Sequence, residues 1–503
     1  MSTKTHLLAL ASIGVLATAL TDVACSTSFE PRICVVDDDC GGSLVCDEQN
    51  GQSVCVKPET APLRIGQSAP GSGPSQDLGL EMKRGILLAF DQQNQQGGIR
   101  GRPLTLDFRD DQYTPTLAEQ NARALVDAQP GPGAPRCPTT QTPPAPGDPF
   151  SQNAIVAGPK SVVAVMGSVG TPTMVRSAPI IVEADRLYFG AFTGATAMLR
   201  DTKAGPCSKN IFNVRASYAQ EARATLEFFF SLGVQDDKHL LSFDQNDTFG
   251  DAGYNGLVAA YTALKNVPPN ITRFRYTRDD ITSVPGQATA TITYLKSLLT
   301  GDTAAHNVGI MMTDTYGPGS QYIKLLKDWQ YANDAEQTSL QKATRLVLHY
   351  SNVSFVGPNS LAGRLHDFGQ VQSPSGPKAY TEEVYVSQVV PNYESDNSDV
   401  VLDYKRLIPS TGASPTFTSL EGYIAARVFI EGLQATKGAF TAENMESAFE
   451  NLPPSTLGLG ASAGFTKDVH QYSKSVWGTS ITPDGGFQNR YFWSDGVKIQ
   501  LFE

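Results

Sequence analysis

Met166-Gly167-Ser168-Val169-Gly170-Thr171-Pro172-Thr173 closes a continuous apolar run, Val162–Met166, and sets glycines and hydroxyls where a strand gives way to a helix. Thr171 suits an N-cap and Pro172 the first helical position. The amides of that first turn, with the Thr171 hydroxyl, then face a ligand oxygen or carboxylate. Capping alone would also explain Thr171, and the two roles are compatible. Gly190-Ala191-Phe192-Thr193-Gly194-Ala195, after the strand Leu187–Phe189, is a second junction of this kind. Its small residues let backbone amides approach a ligand, and Phe192 is either a pocket wall or ordinary core.

Residue patterns that perform catalysis are missing by comparison. The six histidines (His6, His239, His306, His349, His366, His470) are scattered without metal-ligand spacing. There is no Gly-x-Ser-x-Gly elbow, phosphate loop or His-Glu-x-x-His. Gly71-Ser72-Gly73 with Gly79 has its third glycine at the wrong offset for a dinucleotide loop. The expectation is a binding protein without enzymatic activity, resident metal or cofactor.

The amino terminus bears on compartment. Lys4 and His6 precede the uncharged stretch Leu7–Leu20, followed by Thr21-Asp22-Val23-Ala24-Cys25. That is the layout of a secretory signal, and the stretch is shorter than the ~20 residues of a membrane-spanning helix. Cys25 directly after Ala24 resembles a bacterial lipobox, with acylation at Cys25, although Asp22 stands where an aliphatic residue is usual. A plain signal cut near Ala19 or Ala24 is the alternative. Of the seven cysteines, assigning Cys25 to a lipid leaves six, an even number for an oxidising compartment. Cys34, Cys40, Cys46 and Cys55 lie in a segment too short for a core, so two disulfides must hold it, their connectivity left open. Cys137 and Cys207 form a third candidate bridge. Zinc binding by the four clustered cysteines fits their spacing poorly, and Asp37-Asp38-Asp39 reads as a solvated turn before a calcium site.

From Pro62 onward strands alternate with helices. Leu63-Arg64-Ile65, Leu104–Phe108 and Val162–Met166 read as strands, the last covered on both faces. Between the first two, Leu78, Met82, Ile86, Ala89 and Phe90 share one helical face; Ala118, Ala122, Leu125 and Val126 mark the next helix. A second set follows: strands His239–Phe243, Ile271–Tyr276, Val308–Met312, Leu346–Tyr350 with Phe355-Val356, and Val384–Val390. Its helices lie around 220–232, 251–264, 286–299 and 319–329, and a later helix buries Tyr423, Ala426, Ile430 and Leu433. The fold class is α/β with two parallel sheets. Residues 130–157, rich in proline, read as a surface loop tied down by Cys137. With 39 basic against 50 acidic residues the net charge is -11, so nucleic acid is excluded as a partner.

Several of these segments, in order, resemble one family. They are Ile65–Pro70, Ala89-Phe90-Asp91 with Asn94, Gly97–Pro103, Gly170–Thr173, Phe192–Ala195, Asp247–Gly253, Phe355–Asn359 and Ser419–Tyr423. They look like branched-chain amino acid (leucine/isoleucine/valine-type) substrate-binding proteins of ABC transporters, across about 63–503. The resemblance implies two Rossmann-like lobes joined by three crossings and closing on a ligand. It divides the chain into a signal peptide (1–24), an anchor with a cysteine-rich segment (25–61), lobe I (63–217 and 391–463), lobe II (218–390), and a last crossing with return to lobe II (464–503). By position, Thr171 and Thr193 would grip a ligand carboxylate and Leu78 would line the same wall. Phe249 and Tyr316 would face the ligand from lobe II, with Tyr218 near the first crossing. Asn359 stands where amino-acid binders carry a Glu that pairs with the ligand ammonium. An amide cannot neutralise a buried cation, so the expected ligand is a carboxylate without that ammonium, or a less polar organic molecule, in preference to leucine. The resemblance further implies delivery to an ABC permease from the periplasm or cell envelope, with membrane contact through the lipid alone. Ligand sensing on the same fold, and an exported α/β enzyme, are the rival readings.

Overall fold

A computed structural model describes residues 32–502 of the 503, apart from 36–38, 42–43, 50–51, 59–61, 138–149, 151–152, 197–199, 201, 205–206, 302, 456 and 461–462. The expected signal segment 1–24 and Cys25 lie outside the described residues. Among the described residues no helix is long and apolar enough to cross a membrane.

The first described element is an antiparallel hairpin of β1 (Val45–Gln49) and β2 (Gln52–Val56). Its bridges are Cys34–Cys46 and Cys40–Cys55. The hairpin rests on lobe I: Asp47 pairs with Arg102, itself 2% exposed, and Cys34, Cys40 and Cys46 pack with Ala439.

Lobe I is built on β3 (Leu63–Ala69), β4 (Leu104–Asp110), β7 (Ala164–Met166), β8 (Leu187–Phe189) and β9 (Ile211–Phe212), all parallel, in the order β4-β3-β7-β8-β9. Between them run α1 (Gln76–Gln95), α2 (Pro115–Leu125) and α3 (Thr171–Glu183). The apolar positions of α1 point inward as their spacing requires: Leu78, Met82, Ile86, Ala89 and Phe90 are all buried. The Pro-rich loop after α2 begins and ends in a small ribbon, β5 (Gln129–Pro130) with β6 (Ile155–Val156), and is pinned by the Cys137–Cys207 bridge.

Lobe II holds α4 (Tyr218–Ser231), β10 (Leu240–Gln245), α5 (Thr248–Lys265), β11 (Thr272–Tyr276), α6 (Val284–Leu299), β12 (His306–Thr313), α7 (Tyr316–Tyr331), the short α8 (Ala335–Leu340) and α9 (Lys342–Arg345), β13 (Leu346–Asn352) and α10 (Pro358–Asp367). A hairpin of β14 (Gln370–Ser373) and β15 (Gly376–Ala379) precedes β16 (Val384–Gln388). Phe355-Val356 is no strand. It belongs to a 3-10 turn, Ser354–Val356, because Pro358 opens α10 and the residues before it must leave the sheet.

The chain then returns to lobe I for α11 (Asp399–Leu407), α12 (Phe417–Ala435) and α13 (Ala442–Glu450). The α1 and α12 backbones touch: a Cβ on Gly85 would lie 1.9 Å from the Ser419 carbonyl oxygen. Phe449 of α13 packs on Phe189 and Phe212, with centroids 5.0 and 5.3 Å apart. Last comes an antiparallel meander, β17 (Ser475–Ile481), β18 (Phe487–Ser494) and β19 (Val497–Leu501). It extends the lobe II sheet to the order β11-β10-β12-β13-β16-β17-β18-β19. Three crossings thus join the lobes, after β9, after β16 and before β17. The first and third run side by side, the Asn213 amide donating to His470 O at 2.9 Å and the Tyr472 amide to Asn213 O at 2.8 Å.

Candidate ligand-binding cleft

The carboxyl ends of β7 and β8 face lobe II, and the two junctions singled out above are laced together there. Phe192 N donates to Ser168 O at 2.8 Å and Gly170 N to Phe192 O at 3.1 Å. Gly170, and not Thr171, takes the N-cap place; its φ of 99° suits glycine, and a Cβ would meet Tyr113 at 2.3 Å. Thr171 is the first helical residue instead. That turns its hydroxyl inward to the Thr193 hydroxyl, 2.7 Å away, at a helix end whose first amides have no acceptor within the helix. Thr193 also accepts from the Ala195 amide at 3.3 Å.

Aromatic rings from both lobes pack together beginning at Phe192, the residue before Thr193. Phe192 lies 5.2 Å from Phe355, Phe355 4.6 Å from Phe249, Phe249 5.3 Å from Tyr218, and Tyr113 5.9 Å from Phe355. Each of the five is at most 1% exposed. Phe192, Thr171, Thr193, Tyr218 and Phe249 are therefore brought together as expected residues of one cluster. Phe355 and Tyr113 complete it and were not singled out from sequence as site residues. The signal for Phe355 was Gly357-Pro358 just after it, a mark of a turn; Tyr113 sits just before α2 at a positive φ of 59°, which nothing in its neighbours announces.

Leu78, Tyr316 and Asn359 form a second group toward the mouth. Leu78 and Tyr316 both approach Gly357. The Tyr316 hydroxyl donates to the Pro74 carbonyl across the cleft. Leu78 and Asn359 line a cavity of about 300 Å³ together with Asp77, Glu81, Ser360 and Thr416. Thr171 and Thr193 are not among its walls. Asn359 is also committed elsewhere: its amide donates to the Tyr393 hydroxyl at 2.7 Å and accepts from Phe417 N at 3.0 Å. It ties α10 to the second crossing and to the start of α12, so the amide is a strut between lobes as well as a cavity wall. Ser75 to Asp279 at 3.1 Å and Ser360 to Asp77 at 2.9 Å complete the seal between lobes.

The electrostatics are those of a dry site. Burial lifts Asp111, beside Tyr113, to about 7 and holds the Tyr113 phenol well above its ordinary value. Any charge among these residues has to be met by hydroxyls and helix amides, because water has little access to them.

Comparison with known proteins agrees with this geometry. The sequence model of the family described as periplasmic binding protein matches residues 62–132. No curated protein matches the chain. A possible leucine/isoleucine/valine-binding protein from Rhodopirellula baltica SH 1 is 26% identical, with 86% of this chain and 97% of that one covered and a TM-score of 0.67. A fatty acid ABC transporter substrate-binding protein from Thermomonospora curvata is 13% identical, with 88% and 94% covered and a TM-score of 0.62. A branched chain amino acid ABC transporter protein from Thermus thermophilus with bound valine is 14% identical, with 87% and 97% covered and a TM-score of 0.60. Residues 62–132 thus carry the periplasmic binding protein pattern, and the chain has the fold of type I periplasmic binding proteins, similar to the possible leucine/isoleucine/valine-binding protein from Rhodopirellula baltica.

Proposed function

We propose that this chain is exported, anchored by lipid at Cys25, and captures a small organic ligand between its lobes for delivery to an ABC permease, with no chemistry performed on it. The observation that carries the reading is the Thr171–Thr193 hydroxyl pair at the α3 terminus, next in the chain to Phe192, whose ring meets Phe355 of lobe II. The proposed ligand is a carboxylate with an apolar body. Its carboxylate meets Thr171, Thr193 and the α3 amides, and its body lies among Phe192, Phe249, Tyr218 and Phe355, with Leu78 and Tyr316 toward the mouth. Asn359 offers no charge to an ammonium, and the carboxylates beside it are engaged, Asp77 by Ser360 and Glu81 by Arg84 and Thr416, which together disfavour zwitterionic leucine. The range of ligands named for the similar proteins, amino acids and a fatty acid, supports a fold that accepts both. Residues 63–217 and 391–463 are assigned to lobe I, 218–390 to lobe II and 464–503 to the third crossing and return, in keeping with the two sheets.

A thermal-shift screen over amino acids, aliphatic and aromatic carboxylates and fatty acids tests the proposal, because a ligand of the closed state raises the melting temperature by mass action. Carboxylates lacking an α-ammonium are expected as the strongest hits. Leucine at the top, or turnover of any hit into product, overturns it. Mass spectrometry of the amino-terminal peptide from membranes tests the anchor at Cys25.

A further inference from the structure

The two most exposed large apolar side chains among the described residues stand at one place: Val35 is 75% exposed and Ile33 64%, where the next, Leu501, is 53%. They flank Cys34, which is buried and bridged to Cys46. The backbone that carries them is fixed. Cys34 N donates to Ser53 O at 3.0 Å, Cys55 N to Arg32 O at 2.8 Å, and Ile33 pairs with Val54 of β2. Val35 N donates to the Asp39 carboxylate at 2.7 Å, which ties down the turn just beyond. A single exposed aliphatic needs no explanation. Two held out side by side on a braced knot mark a surface that meets something apolar. The knot is itself seated on lobe I through Asp47 and Arg102, so whatever the patch touches is placed relative to that lobe.

We infer that Ile33 and Val35 rest on the lipid surface, so that the knot lays lobe I against the membrane in a fixed attitude. This rests on the proposed anchor at Cys25. The length of the tether selects the occupant. Ile33 is the eighth residue after Cys25, a stretch that spans at most about 29 Å fully extended and about 15 Å as a flexible chain. Headgroups occupy roughly 6 Å on either side of the hydrocarbon, so an acyl group on Cys25 keeps both side chains within reach of that layer. The contact is then intramolecular, and a small apolar patch suffices for it. Charge narrows the lipid further. Glu30 and Asp37-Asp38-Asp39 surround the patch in sequence, against Arg32 alone. Anionic headgroups would be repelled, so the surface is one of zwitterionic lipid and the contact is apolar.

The test takes the full chain purified from membranes, its acyl group confirmed by mass, in vesicles of phosphatidylcholine and phosphatidylethanolamine. Val35→Trp puts a reporter at the patch, and Val267→Trp puts one in lobe II at a residue 50% exposed. Each is read against the native chain with its three tryptophans. Bromine on the acyl chains quenches an indole that reaches them. For Val35→Trp the added emission is expected to fall about twofold on brominated lipid, and to do so equally at about 0.5 M salt, since an apolar contact is not screened. Val267→Trp keeps its emission. Adding Ile33→Asp to Val35→Trp restores most of the loss while the chain still floats with the vesicles. The inference is overturned by a floating chain whose Val35→Trp emission bromine leaves unchanged. Equal quenching at 35 and 267, the mark of a chain tumbling on its tether, overturns it too, as does quenching that Ile33→Asp leaves intact. A chain without an acyl group, or one that does not float, overturns the anchor reading instead, and this inference with it.

Discussion

Replacing Thr193 by valine keeps the shape and removes one hydroxyl, and its consequences are calculable. In the ligand-free chain the Thr193 oxygen serves two groups, the Thr171 hydroxyl at 2.7 Å and the Ala195 amide at 3.3 Å. Both lie at a residue with 0% exposure, where water cannot replace the loss. The free protein should lose about 1–2 kcal/mol, one neutral hydrogen bond plus part of an unmet amide. In the complex the same oxygen would hold a carboxylate, a charge-assisted bond of about 1.5–3 kcal/mol. The Kd of the strongest carboxylate hit should therefore rise by roughly 10- to 150-fold. Calorimetric titration gives the affinity, and urea unfolding of the ligand-free chain gives the stability. A stability loss of the expected size with Kd unchanged within about twofold would refute the reasoning, since it would leave Thr193 a structural residue and put the ligand elsewhere.

Other expectations follow from burial and covalent geometry. Burial raises the carboxyls of Asp111 and Glu421 to about 7 and of Asp314 to about 8, so the folded chain holds protons there that the unfolded chain, titrating near 4, has released. Stability should accordingly fall by on the order of 3 kcal/mol between pH 6.5 and 8. His470, kept neutral by burial, opposes this only below its ordinary value of 6.5, and Lys327, lowered to about 8, only above that. A melting temperature that is flat or rising across the window contradicts the assignment. Cys207→Ser opens a bridge spanning 70 residues and should cost about 4 kcal/mol by chain entropy, read by denaturant midpoint. Gly85→Ala forces a Cβ to 1.9 Å from the Ser419 oxygen, so α1 and α12 must separate. Unfolding should show several kcal/mol lost there, and a variant as stable as the native chain would show that the helices are not in contact.

Local pattern reached the fold well where elements obey a period. The α1 stripe, the β4 alternation and the apolar run into β7 each specify their own burial, and their succession specifies parallel sheets. The meander at the end was missed although Phe487, Tyr491 and Trp493 of β18 are buried in register with alternation; β18 and β19 each follow a strand and no helix, so the strand–helix rhythm did not announce them. Within the cleft, Thr171, Thr193 and Phe192 were legible because glycines and hydroxyls cluster where a strand ends. Tyr113 and Phe355 were not, since each joins the ring cluster only through partners far off in the chain. Cys34–Cys46 and Cys40–Cys55 show the same limit: spacing allows three pairings, and only the folded hairpin selects one.

The docking of the β1–β2 hairpin has a mechanical consequence. Asp47 on Arg102, and three half-cystines packed with Ala439, fasten the amino-terminal knot to lobe I. Whatever holds that end of the chain therefore holds lobe I as the stationary jaw. On the proposed binding role, opening to admit a solute is then a swing of lobe II alone, and its β11 edge, four strands from β16, is the one that lies farther along the sheet from the crossings.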